Sequence, residues 1–297
     1  MSVLPHSSSS PPVFPSSVVR FLRCPVCGSG LERGTSTLYC PQRHAFDVAR
    51  QGYVNLLVGK KVPGYADTLA MVEARERFLA AGHYSKLAQL LAECAVEAVE
   101  PSIESSCILE LGAGTGYYLS RVLDRCQGVP GLALDISKFA ARRAARAHAR
   151  IAAVVADGAK PFPVRTGSAT LALSIFAPRN ASELHRVLRT RGMLLVAIPT
   201  SRHLRELIEP LGLLHIDERK EERLHTQLSP LFEAQRQHSL ELTLRLSRQD
   251  VTHLAAMGPS AFHIAPMELQ RRVARLDEWT EVTASFTVSL HRRKSGS

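Results

Sequence analysis

Two spacings of apolar residues divide this chain. Between 67 and 99 they recur every three to four residues: Leu69, Val72, Ala74 and Phe78 predict a helix over 67–81, and Leu87, Leu90, Leu91, Ala95 and Val99 predict a second over 85–99. Ser85 stands where a cap belongs, and Pro101 where the second helix must stop. From Cys107 the pattern changes to short apolar runs, at 107–111, 131–134, 154–156, 170–176 and 193–198, separated by segments of helical spacing. Runs of that kind suit strands buried on both faces, so the pattern predicts an α/β fold built on a parallel sheet. The stretches 240–246 and 282–290 alternate apolar with polar residues and predict an antiparallel strand pair. No run approaches the ~20 apolar residues of a membrane helix. The Ser- and Pro-rich start has no Lys or Arg before residue 20, unlike a secretory leader. The expectation is a cytoplasmic protein with no membrane partner and a disordered tail over residues 1–20.

Composition changes this picture in two ways. At 297 residues, 45% hydrophobic and 22% charged, the chain is globular material of about two domains, neither disordered nor collagenous. Its formal net charge of +10 favours a polyanionic partner, although the excess of Arg over Lys also follows from codon usage alone. The second change comes from cysteine. Cys24 and Cys27 form one close pair, Cys40 and His44 another, and two tight knuckles of this kind supply the four tetrahedral ligands of zinc. A segment of roughly 35 residues buries too little core to fold alone, so the metal is read as structural. Four protein ligands leave no open position for a catalytic water. Cys94, Cys107 and Cys126 lack such spacing and are expected to be buried.

The run Cys107–Leu111 feeds directly into Gly112-Ala113-Gly114-Thr115-Gly116. A glycine loop at the carboxyl end of a strand lets the backbone turn sharply and approach a nucleotide-like ligand. Position 117 is Tyr where a dinucleotide loop has its third Gly, and no Lys-Ser or Lys-Thr pair follows, which disfavours NAD and excludes a P-loop. Asp135 ends the next strand, placed to accept hydrogen bonds from two ribose hydroxyls; serving the following helix is its alternative role.

The pattern Glu110-x-Gly112-x-Gly114-x-Gly116 resembles the first motif of class I S-adenosylmethionine-dependent methyltransferases. That resemblance implies a Rossmann-like, seven-stranded mixed sheet and places Asp157-Gly158 beside the adenine. Thr190-Arg191-Gly192 departs from the Pro-Gly-Gly-like turn common in such enzymes. Three further segments, Cys40 to Leu57 with its run Phe46-Asp47-x-Ala49-Arg50-x-Gly52-Tyr53-Val54-Asn55-Leu56-Leu57, then Ala81-Gly82-His83-Tyr84, then Phe176-Ala177-Pro178-Arg179-Asn180, resemble the 23S rRNA guanine-N1-methyltransferases. This likeness spans nearly everything after the tail. Phe176 to Asn180 and Ala256-Met257-Gly258-Pro259-Ser260 look more like the actinobacterial branch linked to tylosin and other macrolide resistance. The resemblance implies methyl transfer from S-adenosylmethionine to N1 of a guanine in a domain II hairpin loop of 23S rRNA, of the guanine-748 type. A guanine-745-type enzyme and a small-molecule methyltransferase are the alternatives. It also implies cofactor contacts from Tyr84, Gly114, Thr115 and His203; the residues alone would make Tyr84 a core aromatic and His203 a surface helix residue. The full expected cofactor set is Tyr84, Glu110, Gly112, Gly114, Thr115, Gly116, Asp135, Asp157 and His203, with Cys24, Cys27, Cys40 and His44 on zinc.

The expected organisation is the tail over 1–20, a zinc-ribbon rRNA-recognition module over 21–57, a connector with helices over 58–100, a methyltransferase domain over 101–292 and a short tail over 293–297. The oligomeric state stays open, a homodimer included. Arg43, Arg50, Lys60 and Lys61 are the expected phosphate contacts. Arg142, Arg146 and Arg150, with Arg143 beside them, form a second basic stripe whose alternative is a solvated helix face. Arg179 and Asn180 are the catalytic candidates, placed to bind the guanine edge; a solvated charge and a helix cap are their alternatives. A non-catalytic zinc-ribbon RNA binder is the remaining rival.

Overall fold

The computed structural model describes residues 13–59, 64, 66–99 and 106–295. In chain order the elements are α1 (Ser16–Val19), β1 (Glu32–Arg33), β2 (Thr37–Tyr39), β3 (Ala45–Asp47), β4 (Tyr53–Asn55), α2 (Leu69–Ala80), α3 (Ser85–Ala98), β5 (Cys107–Leu111), α4 (Tyr117–Arg125), β6 (Gly131–Asp135), α5 (Lys138–Ala147), β7 (Ile151–Val155), β8 (Ala169–Ile175), α6 (Ala181–Val187), β9 (Leu188–Pro199), α7 (Arg205–Leu211), α8 (Lys220–Leu228), β10 (Phe232–Ser247), α9 (Arg248–Ala256), a 3-10 turn (Pro259–Phe262), α10 (Pro266–Val273) and β11 (Trp279–Arg293).

The main sheet runs β10-β11-β9-β8-β5-β6-β7-β4. Strands β4 to β9 are parallel, while β11 pairs antiparallel with β9 and β10 antiparallel with β11. Strand order reverses at β5, which has β6 on one side and β8 on the other, so the ligand crevice belongs at the carboxyl ends of β5 and β8. The expected class I fold and its antiparallel pair are present, but the sheet has eight strands rather than seven. The eighth is β4, from the segment assigned to the zinc module, which adds to the outer edge of β7 with Tyr53 opposite Ala153 and Asn55 opposite Val155. A three-residue strand without a pattern of its own gave no sign of where it would pair.

Period-two packing explains why the strands read as unbroken apolar runs. Ile108, Leu171, Leu173, Leu195 and Ala197 face one core with α3, α4, α5 and α9, whereas Leu109, Ala172, Leu194 and Val196 face a second. That second core also contains Cys24, Leu31, Leu38 and Cys40 of the ribbon, so the module lies on the sheet as a layer. Main-chain bonds from Arg23 to Pro163 (3.1 Å) and from Arg165 to Phe21 (2.8 Å) fasten it there.

Four local expectations are corrected. Residues 13–20 are no tail: Phe14, Val18 and Val19 are buried in the second core, because the apolar residues among those serines pack under the ribbon, where Arg33 Nη1 donates to the Phe14 carbonyl at 2.8 Å. Ser85 is the first residue of α3 rather than its cap, which is Tyr84. Arg150 leaves the basic stripe, since α5 ends at Ala147 and the guanidinium turns inward onto the carbonyls of Leu123, Cys126 (2.8 Å) and Val129 (2.7 Å). Helix α2 begins later than expected, with the Thr68 hydroxyl accepting from Met71 N–H at 3.3 Å. Pro101 lies outside the described residues.

Candidate cofactor cleft and metal centre

In the ribbon the four predicted ligand atoms lie within 4.8 Å of one another. Cys27 Sγ is 3.7 Å from Cys40 Sγ, and His44 Nδ1 is 3.3 Å from Cys40 Sγ and 3.6 Å from Cys24 Sγ. A tetrahedron with Zn–S of about 2.3 Å and Zn–N of about 2.0 Å has S···S edges near 3.7 Å and S···N edges near 3.5 Å, so the donor set fits zinc. Each knuckle closes on the backbone: Gly28 N–H donates to Cys24 O (2.9 Å), and Arg43 N–H to Cys40 O (2.9 Å) with Arg43 left-handed at φ 64°. Hydrogen bonds from Ser29 lower the Cys27 thiol to about 6, which favours the thiolate that zinc requires.

At the carboxyl end of β5 the glycine loop has left-handed backbone at Gly112, Gly114 and Gly116. A Cβ at Gly116 would sit 3.0 Å from Ala144 Cα in α5, and one at Gly112 2.7 Å from Ala177 Cβ beyond β8, so the loop is wedged between two elements. Asp135 ties it to β6: Oδ2 accepts from Gly114 N–H and Oδ1 from Ser137 N–H, both at 2.8 Å. An ionised carboxylate has about four acceptor positions, so two stay open for ribose hydroxyls. Burial raises the Asp135 carboxyl against the pull of those two bonds. The bond from Ser137 N–H is the helix-start role given as the alternative for Asp135.

Glu110 sits elsewhere than expected. It is 1% exposed, and its Oε2 accepts from Leu119 N–H (3.2 Å) in the first turn of α4, with burial raising its carboxyl well above the usual range. It holds the loop and helix together from inside the core. Asp157 likewise caps its own turn, accepting from Ala159 N–H at 2.9 Å, and Thr115 is buried in the loop.

Tyr84 and His203, far apart in sequence, meet in the fold. The His203 Nδ1 accepts from Ser285 N–H (3.2 Å), which leaves the proton on Nε2, 3.4 Å from the Tyr84 hydroxyl. Burial and then Lys220 lower His203 to about 4, so it is neutral at pH 7. Burial alone raises the Tyr84 phenol. Both rings pack on Phe286 of β11, at 5.2 Å and 4.8 Å.

After β8 the chain turns through Phe176, left-handed at φ 56° and 40% exposed, with its ring 5.5 Å from Phe286 and 6.3 Å from Tyr118. A bulky residue in that conformation is strained, and strain of this kind gathers at functional sites. Asn180 is the N-cap of α6: Oδ1 accepts from Glu183 N–H (3.2 Å) and Ser182 Oγ (2.9 Å), so its side chain serves the helix, the alternative noted for it. Arg179 is half-buried, with Nη1 on Ala177 O at 3.2 Å. Its Nε has no partner among the described residues.

Arg43 and Arg50 are exposed on the ribbon, whereas Lys60 and Lys61 lie outside the described residues. On α5, Arg142 and Arg146 are exposed, but Arg143 is paired with Glu73 and Glu76 of α2. Phe176, Phe286 and Arg75, a residue over the loop, were missed from sequence. Only Phe176 carried a signal there, as a large apolar residue ending a strand at the ligand edge.

The zinc-ribbon family described as "RlmA, N-terminal" matches residues 22–61. A Bacillus halodurans protein provisionally assigned as a methyltransferase shares the fold, with a TM-score of 0.50 at 13% identity, covering 70% of this chain and 99% of that one. The 23S rRNA (guanine(748)-N(1))-methyltransferase of Streptomyces fradiae is 48% identical over 93% of this chain and 98% of its own length. A Micromonospora griseorubida protein with a provisional 23S rRNA (guanine-N(1)-)-methyltransferase assignment is 44% identical over 91% of this chain and 97% of its own. With ribbon, sheet and glycine loop all in place and identity of this extent along nearly the whole chain, the protein belongs to the 23S rRNA guanine-N1-methyltransferase family.

Proposed function

We propose that this chain transfers a methyl group from S-adenosylmethionine to N1 of a guanine in 23S rRNA, at the guanine-748 position for which its Streptomyces fradiae relative is named. The observation that carries the reading is the juxtaposition at the sheet's switch point of the Asp135-tethered glycine loop with the strained, exposed Phe176. Bound at the loop, the cofactor supplies an electrophilic methyl carbon. The residues around it then bind and orient. Asp135 offers its open acceptor positions to the ribose, and the Tyr84–His203 pair closes the apolar side of the cleft. Phe176 presents a ring on which a guanine extruded from its hairpin stacks. The half-buried Arg179, which follows Phe176 in the same turn, is the donor proposed for the guanine O6, where negative charge builds as the N1 proton passes to solvent.

Cys24, Cys27, Cys40 and His44 would hold zinc as a structural ion, and the ribbon would carry Arg43, Arg50, Lys60 and Lys61 to phosphates. Among the described residues no helix is long and apolar enough to cross a membrane. Methylation of a domain II hairpin transcript, with mass mapping of the product, tests the proposal. Label on N1 of guanine 748 is expected; label on a neighbouring guanine would move the chain to the other branch, and label only on free metabolites would overturn the rRNA reading.

A further inference from the structure

Arg75 of α2 reaches across from the first helical layer to lie on the glycine loop. A Cβ at Gly114 would sit 3.4 Å from Arg75 Cδ and 3.5 Å from Nη1, so the side chain passes directly over that residue. Its guanidinium is held at two edges. Nη1 is ion-paired with Asp67, and Nη2 donates to the Met257 carbonyl at 2.7 Å. Asp67 is itself fixed beside the cleft, because its carbonyl accepts from Ser137 Oγ (2.7 Å), and Ser137 N–H bonds Asp135. Helix α9, with Met257 as its C-cap, thus braces the guanidinium from behind while a carboxylate takes its front.

The electrostatics need a cation here. Asp135 and Asp67 bring two carboxyl groups to the neighbourhood of one loop, and the Asp67 charge raises the Asp135 carboxyl while Arg75 lowers it. A guanidinium offers a planar fork of donors that matches a carboxylate two bonds at a time. The ligand proposed for this loop carries a carboxylate at its amino-acid end. Asp67 already shows which chemical group that fork takes.

We infer that Arg75 is the binding residue for the α-carboxylate of the cofactor, which replaces Asp67 on the guanidinium while Met257 keeps the fork aimed at the loop. The inference rests on the cofactor reading of the glycine loop given above. It identifies a carboxylate subsite and predicts selectivity for ligands that possess one. Lysine at this position would keep the charge and lose the fork.

Calorimetric titration of the full, zinc-loaded chain with S-adenosylmethionine and with its decarboxylated analogue tests this. The parent protein should prefer the intact ligand by about 10- to 100-fold, the range expected for a charge-assisted pair. Arg75→Ala should erase the preference by weakening S-adenosylmethionine alone, and Arg75→Lys should restore part of it. Asp67→Asn, which keeps Arg75 and removes its competitor, should tighten S-adenosylmethionine and leave the analogue unchanged; it decides the matter should Arg75→Ala fail to fold. Equal weakening of both ligands in Arg75→Ala, or a preference that survives it, would overturn the carboxylate subsite. A parent protein that binds neither ligand would instead sink the cofactor reading of the loop.

Discussion

Replacing Gly116 by Ala tests the loop's geometry most directly. Gly116 is the N-cap of α4 at φ 78°, ψ 11°, a conformation that costs an L-residue roughly 1–2 kcal/mol. The added methyl would lie 3.0 Å from Ala144 Cα, 3.1 Å from Ala147 Cβ and 3.2 Å from Ala144 Cβ. These atoms belong to a packed helix and cannot swing aside, so an overpacking cost of about 1–3 kcal/mol is added. The total, about 2–5 kcal/mol, is a large part of an ordinary domain's stability. At roughly 2–4 °C per kcal/mol the unfolding temperature should fall on the order of 10 °C. Gly114→Ala is the internal control. It shares the left-handed backbone, yet its methyl would meet only the Arg75 side chain at 3.4 Å, so about 1–2 kcal/mol is expected. Urea unfolding followed by circular dichroism, with zinc in excess, compares the two. Should Gly114→Ala lose as much stability as Gly116→Ala, the contact with α5 would not be what fixes the loop.

Other outcomes follow from features already described. Protein purified without chelator should contain one zinc per chain by elemental analysis, and Cys27→Ser should lower a single unfolding transition of the whole chain because ribbon and sheet share a core; separate transitions for the two would refute that. His203 and His291 are both lowered to about 4 by burial, with Lys220 adding to the first and His225 and Arg179 to the second. Since the unfolded chain takes up those protons near pH 6.5, each contributes stability that is full above that pH and drains away towards pH 4, up to about 3 kcal/mol. His291→Gln should therefore flatten the difference in stability between pH 7 and pH 5, and an unchanged slope would remove His291 from the account. Mutating Arg43, Arg50, Lys60 and Lys61 together to Ala should reduce the salt dependence of RNA binding by about one log-log unit per lost phosphate contact, without changing cofactor affinity. A full salt slope in that variant would shift the RNA surface to Arg142 and Arg146.

Legibility in the sequence followed the range of each interaction. The two zinc-ligand pairs and the strand–glycine loop–helix unit are read from spacing, because each is set by residues within a turn or a strand length of one another, whereas Asp135, 21 residues from the Gly114 it bonds, is read from its place at the end of the next apolar run. Buried strands announced themselves by unbroken apolar runs, since both faces needed apolar cover. What depends on distant segments was hidden. The N-terminal Phe14, Val18 and Val19 looked like part of a tail because the core they join is assembled from the ribbon together with sheet strands that begin only at Cys107. Arg150 looked like a member of a helix-face stripe, yet the helix stops before it and three carbonyls collect its guanidinium. Asn180 was legible in both roles, and only the cap hydrogen bonds chose between them. Tyr84 and His203 needed the family likeness, because a ring and an imidazole on separate elements leave no local pattern.

The pairing of β4 with β7 also sets a timetable for synthesis. Tyr53 leaves the ribosome 100 residues before its partner Ala153. At about 5–20 residues per second, that gap lasts on the order of 5–20 s. Throughout it the nascent ribbon has no sheet to lie on, and its apolar side chains face solvent or chaperones. The two knuckles of backbone hydrogen bonds, the small β1-β2-β3 sheet and the ion that Cys24, Cys27, Cys40 and His44 would hold are devices local enough to act in that interval. Metal supply during translation would then govern how much of the newly made chain reaches the native state, and cells short of zinc should accumulate misassembled protein even when the finished enzyme holds its ion tightly.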